Sequence, residues 1–450
     1  MPFDHLKNYV ASKYPHLQEH ITDAQYEQID WTVNTSLEYQ TSGAALVQLD
    51  NPRFYQAKRL LARLHFLSLL RQGDYSTFVG AENNQEPPID PENFGAISEI
   101  IQELTAEEYQ QLWVASTTSI SDPAKTLAVG KISLTALEDS VEFLAETMTV
   151  LPEIYPAAKE LMKEDPTAKA AFNAMFNTGH FRHMMSVEGD EKMHGKLREK
   201  IMIKEFDQRS LNLWFAYWLI DIAAFDLHTQ DGLGSKRLRN DTAKTVLFLK
   251  SQLNELLTNP NKPILKEYLE QRAQWITSGI SDISFLSSTP SSHAIPRMVM
   301  ARIAALCRVY TPQSGAEIYH GLRRIKETYG DEKFDSMMLT LDALKRRDEP
   351  TPTYGPALLS NLYKKTGNYA TAVSLGLPLI SEALEKYRAL SAALREKCIL
   401  NLNDLGKASN LEKIIAGEKL EVNIGQNGKA CLNPITHDLT LSQTPALDKK

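Results

Sequence analysis

Histidine and aspartate residues are concentrated in one stretch of the 450-residue chain, between Asn177 and Asp241. Four of the eleven histidines lie there with several aspartates: His180, His183, His194, His228, Asp190, Asp207, Asp221, Asp226 and Asp231. Imidazole and carboxylate groups are the usual ligands of a catalytic divalent metal, and both also serve as general bases. The stretch therefore predicts a divalent-metal site. The predicted ligands are His180, His183, His194 and Asp221, and the predicted catalytic residues are Asp221 and His228.

An apolar run from Leu211 to Phe225 lies inside this stretch and predicts a buried central helix, because it is too short and too interrupted to span a bilayer. Helical spacing places these side chains near one face: Trp214, Trp218, Asp221, Phe225 and His228. A buried carboxylate needs a cation, a metal or a proton. The structural alternative to the metal site is that Asp221 pairs with Arg182 or Arg209 and that the histidines are ordinary core or surface residues.

A glycine-rich, basic turn follows the central helix, with the sequence Gly-Leu-Gly-Ser-Lys-Arg-Leu-Arg from Gly232 to Arg239. Glycine lets backbone amides approach an anion closely, and lysine or arginine neutralises phosphate charge. We therefore expect Lys236 and Arg237 to hold the phosphate of a ligand. The spacing does not match a P-loop, so a solvated loop is the alternative.

The elements that must position these residues are helices. An Asx residue before proline predicts a helix start, since the Asx side chain accepts from free amides and proline suits the first turn. Such pairs are Asn51-Pro52, Asp90-Pro91, Asp122-Pro123 and Asp165-Pro166, and capping boxes begin at Thr22, Thr105 and Ser314. Near the C-terminus, Asn427-Gly428 between two short β-type segments predicts a β-hairpin. The predicted fold is all-α, multi-helical and globular or array-like, with a small C-terminal β-hairpin.

The segment from Leu359 to Ala372 resembles one tetratricopeptide-type helical hairpin, with Gly367 at the turn and Tyr363 and Tyr369 filling the groove. No second copy occurs at the expected period, so an ordinary helical hairpin is the simpler interpretation. The nearest chemical comparison for the central stretch is with helical phosphohydrolases named for a His-Asp doublet. The central helix lacks that doublet, because Asp221 follows Ile220, and we infer no membership of that family.

Composition excludes several classes of protein. The net charge is −7, without a long basic run, so neither nucleic acid nor an anionic membrane is an expected partner. The three cysteines are Cys307, Cys398 and Cys431; their odd number and wide spacing predict no disulfide framework and a reducing, cytoplasmic location. No export signal is expected at the N-terminus, where Asp4 comes early and no apolar core follows.

Four regions follow from these signals: an N-terminal helical region at 1–75, a central helical region with the His/Asp stretch at 90–285, a C-terminal helical region at 292–415, and the hairpin and tail at 416–450. Two functions are compatible with them. One is a metal-dependent hydrolase acting on a phosphorylated small molecule. The other is a helical interaction scaffold that binds another protein and has no catalytic activity. Substrate, metal identity and oligomeric state do not follow from the sequence.

Overall fold

The computed structural model describes residues 55–80, 88–118, 128–133, 140–150, 155–187, 194–225, 234–235, 237–280, 294–343, 355–395, 398 and 400–435. Contacts between Cα atoms divide the chain into two compact units. Unit 1 comprises Met1–Met185 and Glu191–Arg272, and unit 2 comprises Ser186–Asp190 and Ala273–Lys450. The described secondary structure is helical apart from one C-terminal pair of strands, so the prediction of an all-α fold with a small β-hairpin is confirmed.

Unit 1 is built from short and medium-length helices, the last of which continues past its boundary. They are α1 (Tyr55–Gln72), α2 (Tyr75–Val79), α3 (Pro91–Gln102), α4 (Ala106–Thr117), α5 (Ser140–Val150), α6 (Pro156–Glu164), α7 (Ala168–Phe176), α8 (Phe181–Ser186), α9 (Gly195–Met202), α10 (Gln208–Ala224), α11 (Asn240–Glu255) and α12 (Ile264–Thr277). Helix α10 lies at the centre of the unit and contacts α1, α4 and α7. Every residue of α10 from Leu213 to Ala224 is buried, as expected for the predicted central helix.

Several helix starts lie where the sequence predicts them. Asp90 caps α3 by accepting from the Asn93 amide, with Pro91 in the first turn. Thr105 and Glu108 form both hydrogen bonds of the capping box of α4. Two starts differ by a few residues: α7 begins after Thr167, to which Asp165 hydrogen-bonds, and the next long helix begins at Pro312 instead of after Ser314. The predicted starts at Asn51, Asp122 and Thr22 lie outside the described residues.

Unit 2 contains longer helices and the strands. Its elements are α13 (Ala294–Leu306), α14 (Pro312–Ala343), α15 (Gly355–Thr366), α16 (Tyr369–Arg388), α17 (Ala392–Arg395), a 3-10 turn (Asn403–Gly406), α18 (Ala408–Ile415), β1 (Leu420–Ile424) and β2 (Ala430–Pro434). Helix α14 is kinked at Gly330, whose φ of 78° and ψ of 169° are not helical. Both of its halves follow α16, since Glu317 accepts from the Tyr369 amide and Arg388 donates to the Thr340 carbonyl.

Helices α15 and α16 form the predicted hairpin. Gly367 makes the turn with a φ of +68°, which favours glycine, and the rings of Tyr363 and Tyr369 stack with centroids 3.9 Å apart. At the end of the unit, β1 pairs antiparallel with β2 through Val422 opposite Leu432. No helix in the described parts of the chain combines the length and the apolar composition that crossing a bilayer requires.

Candidate functional site

Asp221 forms a buried ion-pair group with two arginines of unit 1. Its Oδ1 accepts from Nε and Nη2 of Arg63 on α1, at 3.2 and 2.5 Å, and its Oδ2 accepts from Nη1 of Arg182 on α8, at 3.0 Å. The side chains of Asp221, Arg63 and Arg182 are 1%, 9% and 18% exposed. Arg63 also donates to the Thr118 carbonyl. The carboxylate therefore joins three helices that are distant in sequence.

This geometry confirms the structural alternative for Arg182 and not for Arg209. Arg209 pairs with Glu108 at 2.5 Å, and its side chain is 51% exposed. Arg63 was missed, although the sequence holds a signal for it. It lies in a run where every residue from Ala62 to Leu70 is buried, and an arginine inside so apolar a segment needs an acidic partner.

Both oxygens of the Asp221 carboxylate already accept hydrogen bonds from guanidinium groups. A divalent metal bound there would bring a third cation to one carboxylate, which is electrostatically unfavourable in a buried site. Within the described ranges, no three or more His, Cys, Asp or Glu side chains are grouped so that they could hold a metal ion. Asp221 as a metal ligand stays a prediction, and its ion pairs count against it.

His180 and His183 lie beside the same ion-pair group. The His180 ring stacks on Trp218 of α10 with centroids 3.7 Å apart and on His183 with centroids 4.2 Å apart. Trp218 precedes Asp221 by three residues on α10, so both face α8. The His180 and His183 planes are within 14° of parallel. A metal binds an imidazole in the ring plane, so rings stacked face to face do not direct their nitrogens to one ion in this conformation.

The other predicted residues are placed as follows. His194 is buried directly before α9 and does not join His180, His183 and Asp221 in a three-ligand group. His228 and Lys236 lie outside the described residues. Arg237 is described, and its guanidinium carbon lies 5.3 Å from the centroid of the Phe225 ring, where that of Arg182 lies at 4.1 Å. Two of the arginines near Asp221 therefore share one aromatic side chain.

The glycine-rich turn is used for close packing of two backbone segments. A Cβ atom at Gly234 would overlap the carbonyl oxygen of Val79, and the Ser235 amide donates to the Phe78 carbonyl at 3.0 Å. The Ser235 hydroxyl donates to the Ala223 carbonyl at the end of α10. The Ser235 amide is thus used inside the fold, contrary to the expectation of amides turned to an anion. What this turn does for a site is to bring Arg237 beside Phe225.

Helix α10 is held in place at its start by Asp207. The Asp207 side chain accepts from the Ser210 amide at 2.9 Å, and this hydrogen bond lowers the pKa of the Asp207 carboxyl below its ordinary value. Trp218, which is 4% exposed, carries an indole N–H without a hydrogen-bond partner among the residues the structure describes. The inner ring of the stack therefore holds a buried donor, and such donors are costly when nothing accepts from them.

The chain matches no protein-family model, and neither curated proteins nor solved structures gave a match.

Proposed function

We propose that unit 1 binds a phosphorylated small molecule through Arg182 and Arg237, with His180 and His183 beside them. These four residues are called the arginine–histidine surface below. The observation that carries the proposal is that Arg182 and Arg237 share the Phe225 ring while Asp221 holds Arg182 from behind. Two guanidinium groups held near each other are suited to a phosphate, because each presents a planar set of donors to its oxygens.

Asp221 has a positioning role in this proposal. Its Oδ2 engages one terminal nitrogen of Arg182, and a guanidinium group has five N–H donors. The hydrogen bond fixes the side chain and leaves donor capacity for a second acceptor. The Oδ1 atom is engaged by Arg63, which is more deeply buried. We therefore assign Arg63 and Asp221 to the support of the surface and Arg182 and Arg237 to the ligand.

The predicted metal-dependent hydrolysis is a second step of the same proposal. The step requires a bound metal, for which we retain His180, His183, His194 and Asp221 as the candidate ligands, with His228 and Asp221 as candidate catalytic residues. Elemental analysis of protein purified without chelator, compared with His180→Ala and Asp221→Ala, tests this step. Metal that is present in the parent and reduced in both variants supports hydrolysis. Negligible metal, or equal metal in all three proteins, removes hydrolysis and leaves binding to be tested by itself.

Calorimetric titration with ribose 5-phosphate tests the binding. Arg237→Ala is the informative variant, because Arg237 is outside the Asp221 ion pairs, and Arg209→Ala is the control for the loss of one arginine elsewhere. A charge-assisted hydrogen bond contributes about 1.5–3 kcal/mol, so Arg237→Ala should weaken binding roughly 10- to 150-fold. Arg209→Ala should leave binding unchanged. No binding by the parent, or equal binding by all three proteins, contradicts the proposal.

A second candidate function is a helical scaffold for another protein, and unit 2 supplies the observation that favours it. A Cβ atom at Gly376 of α16 would lie 2.7 Å from Leu359 and 2.9 Å from Leu362, so α15 and α16 pack closely, as a tetratricopeptide-type hairpin does. Site-specific photo-cross-linking tests it from Leu339 of α14, which is 60% exposed, with Val129 of unit 1 as the control position. A discrete adduct from position 339 alone supports the scaffold. No adduct, or the same adducts from both positions, contradicts it.

A further inference from the structure

Three parallel rings form a row at the arginine–histidine surface. His180 stacks on Trp218 with an angle of 28° between their planes and on His183 with an angle of 14°. Two rings that both lie about 4 Å from a third, and nearly parallel to it, cannot share one of its faces. His180 is therefore in the middle, Trp218 is the buried inner ring, and the partly exposed His183 is the outer ring.

The outer ring is next to the proposed phosphate site. Arg182 directly precedes His183 in the chain, so their Cα atoms are about 3.8 Å apart. Arg182 also lies over the Phe225 ring, which it shares with Arg237. An aromatic surface and two guanidinium groups are thus within reach of one small molecule.

We propose that the ligand is a nucleotide, whose base extends the row on His183 while its phosphate is held by Arg182 and Arg237. This inference rests on the phosphate binding proposed above and adds the aromatic part of the ligand. Planar bases stack on aromatic side chains, and histidine serves in this role. The charge of Arg182 beside the row also favours the electron-rich face of a base.

The stacking contribution can be separated from the phosphate contribution with three probes: adenosine 5′-monophosphate, ribose 5-phosphate and adenosine. Calorimetry is performed on the full chain, on His183→Leu and on His183→Phe. Leucine fills similar space without an aromatic face, and phenylalanine keeps the face without the imidazole nitrogens. Thermal unfolding of both variants checks that unit 1 remains folded.

Base stacking of the usual strength makes the nucleotide bind roughly 5- to 150-fold more tightly than ribose 5-phosphate. His183→Leu should abolish that difference, and His183→Phe should preserve it. Equal binding of the nucleotide and ribose 5-phosphate by the parent overturns the nucleotide inference while phosphate binding stands. Equal binding of adenosine and the nucleotide overturns the assigned role of the arginines, and binding of none of the probes overturns both proposals.

Discussion

Replacing Asp221 with leucine tests the ion-pair group on which the site rests. The substitution leaves the guanidinium of Arg63, 9% exposed, without its carboxylate, and it also removes the partner of Arg182. Arg63 would keep its hydrogen bond to the Thr118 carbonyl, which does not compensate a charge. Breaking a buried ion pair costs about 3–5 kcal/mol. Because both arginine side chains are mostly buried, we expect Asp221→Leu to fall within that range.

The double variant Arg63→Met/Asp221→Leu distinguishes a lost ion pair from a general disturbance of the core. Replacing both members of a buried pair by apolar residues is often close to neutral, so the double variant should be more stable than Asp221→Leu alone. Arg209→Ala is the matched control, and as a member of a half-exposed pair it should cost about 0–1 kcal/mol.

Urea unfolding followed by tryptophan fluorescence measures these differences, since Trp214 and Trp218 lie on the same helix as Asp221. The midpoints should rank as parent, then the double variant, then Asp221→Leu. If Asp221→Leu unfolds like the parent, the carboxylate is not buried between the arginines. If the double variant is the least stable of the three, the group stabilises the unit by more than the desolvation of its charges costs, and our energetic reasoning is wrong.

Three further predictions follow from the fold. Gly234→Ala should destabilise unit 1 by about 1–3 kcal/mol in urea unfolding, since its Cβ would overlap the Val79 carbonyl, whereas Gly195→Ala, with open space around its Cβ, should be neutral or slightly stabilising. Asp207→Ala should cost about 1 kcal/mol at neutral pH. The lowered pKa of Asp207 means that the stabilisation by its charge is present above the ordinary aspartate range and is lost as the pH falls through the folded-state pKa, so the parent and Asp207→Asn should converge in acid; a constant difference between them would contradict this. Gly367→Ala should lower the unfolding midpoint of unit 2 by roughly 1–2 kcal/mol, because its positive φ strains any residue with a Cβ, and an unchanged midpoint would show that the turn adapts.

The local features of the fold were predictable because they depend on neighbouring residues. The caps at Asp90 and Thr105 need only the amides of the next turn, and the hairpin turn at Asn427-Gly428 needs only a glycine that accepts a positive φ, here 77°. Burial of the central helix followed from the apolar run around Asp221. Helix starts near Asp165 and Ser314 were shifted because Thr167 and Thr311 supply competing polar side chains.

The partners of Asp221 were only partly predictable. Arg182 was a candidate, since it is 39 residues away in the same stretch, whereas Arg63 is 158 residues away. Nothing in the local pattern tells which of two remote helices packs on α10. The glycine-rich turn shows the same limit, because its resemblance to an anion-binding loop comes from glycine itself. Glycine also allows a close backbone approach, and only the neighbouring segment at Val79 decides between the two uses.

The distance in sequence between Arg63 and Asp221 has a consequence for how the chain folds during synthesis. At about 5–20 residues per second, roughly 8–32 s pass between the synthesis of the arginine and that of its carboxylate. Throughout that interval the Arg63 guanidinium has no Asp221 to accept it, so burying α1 would strand a charge away from water. The apolar surface of α1 must therefore wait in a hydrated or chaperone-bound state until α10 has been made. A fragment that ends before Asp221 should remain in that state, exposing the surface that the complete unit buries.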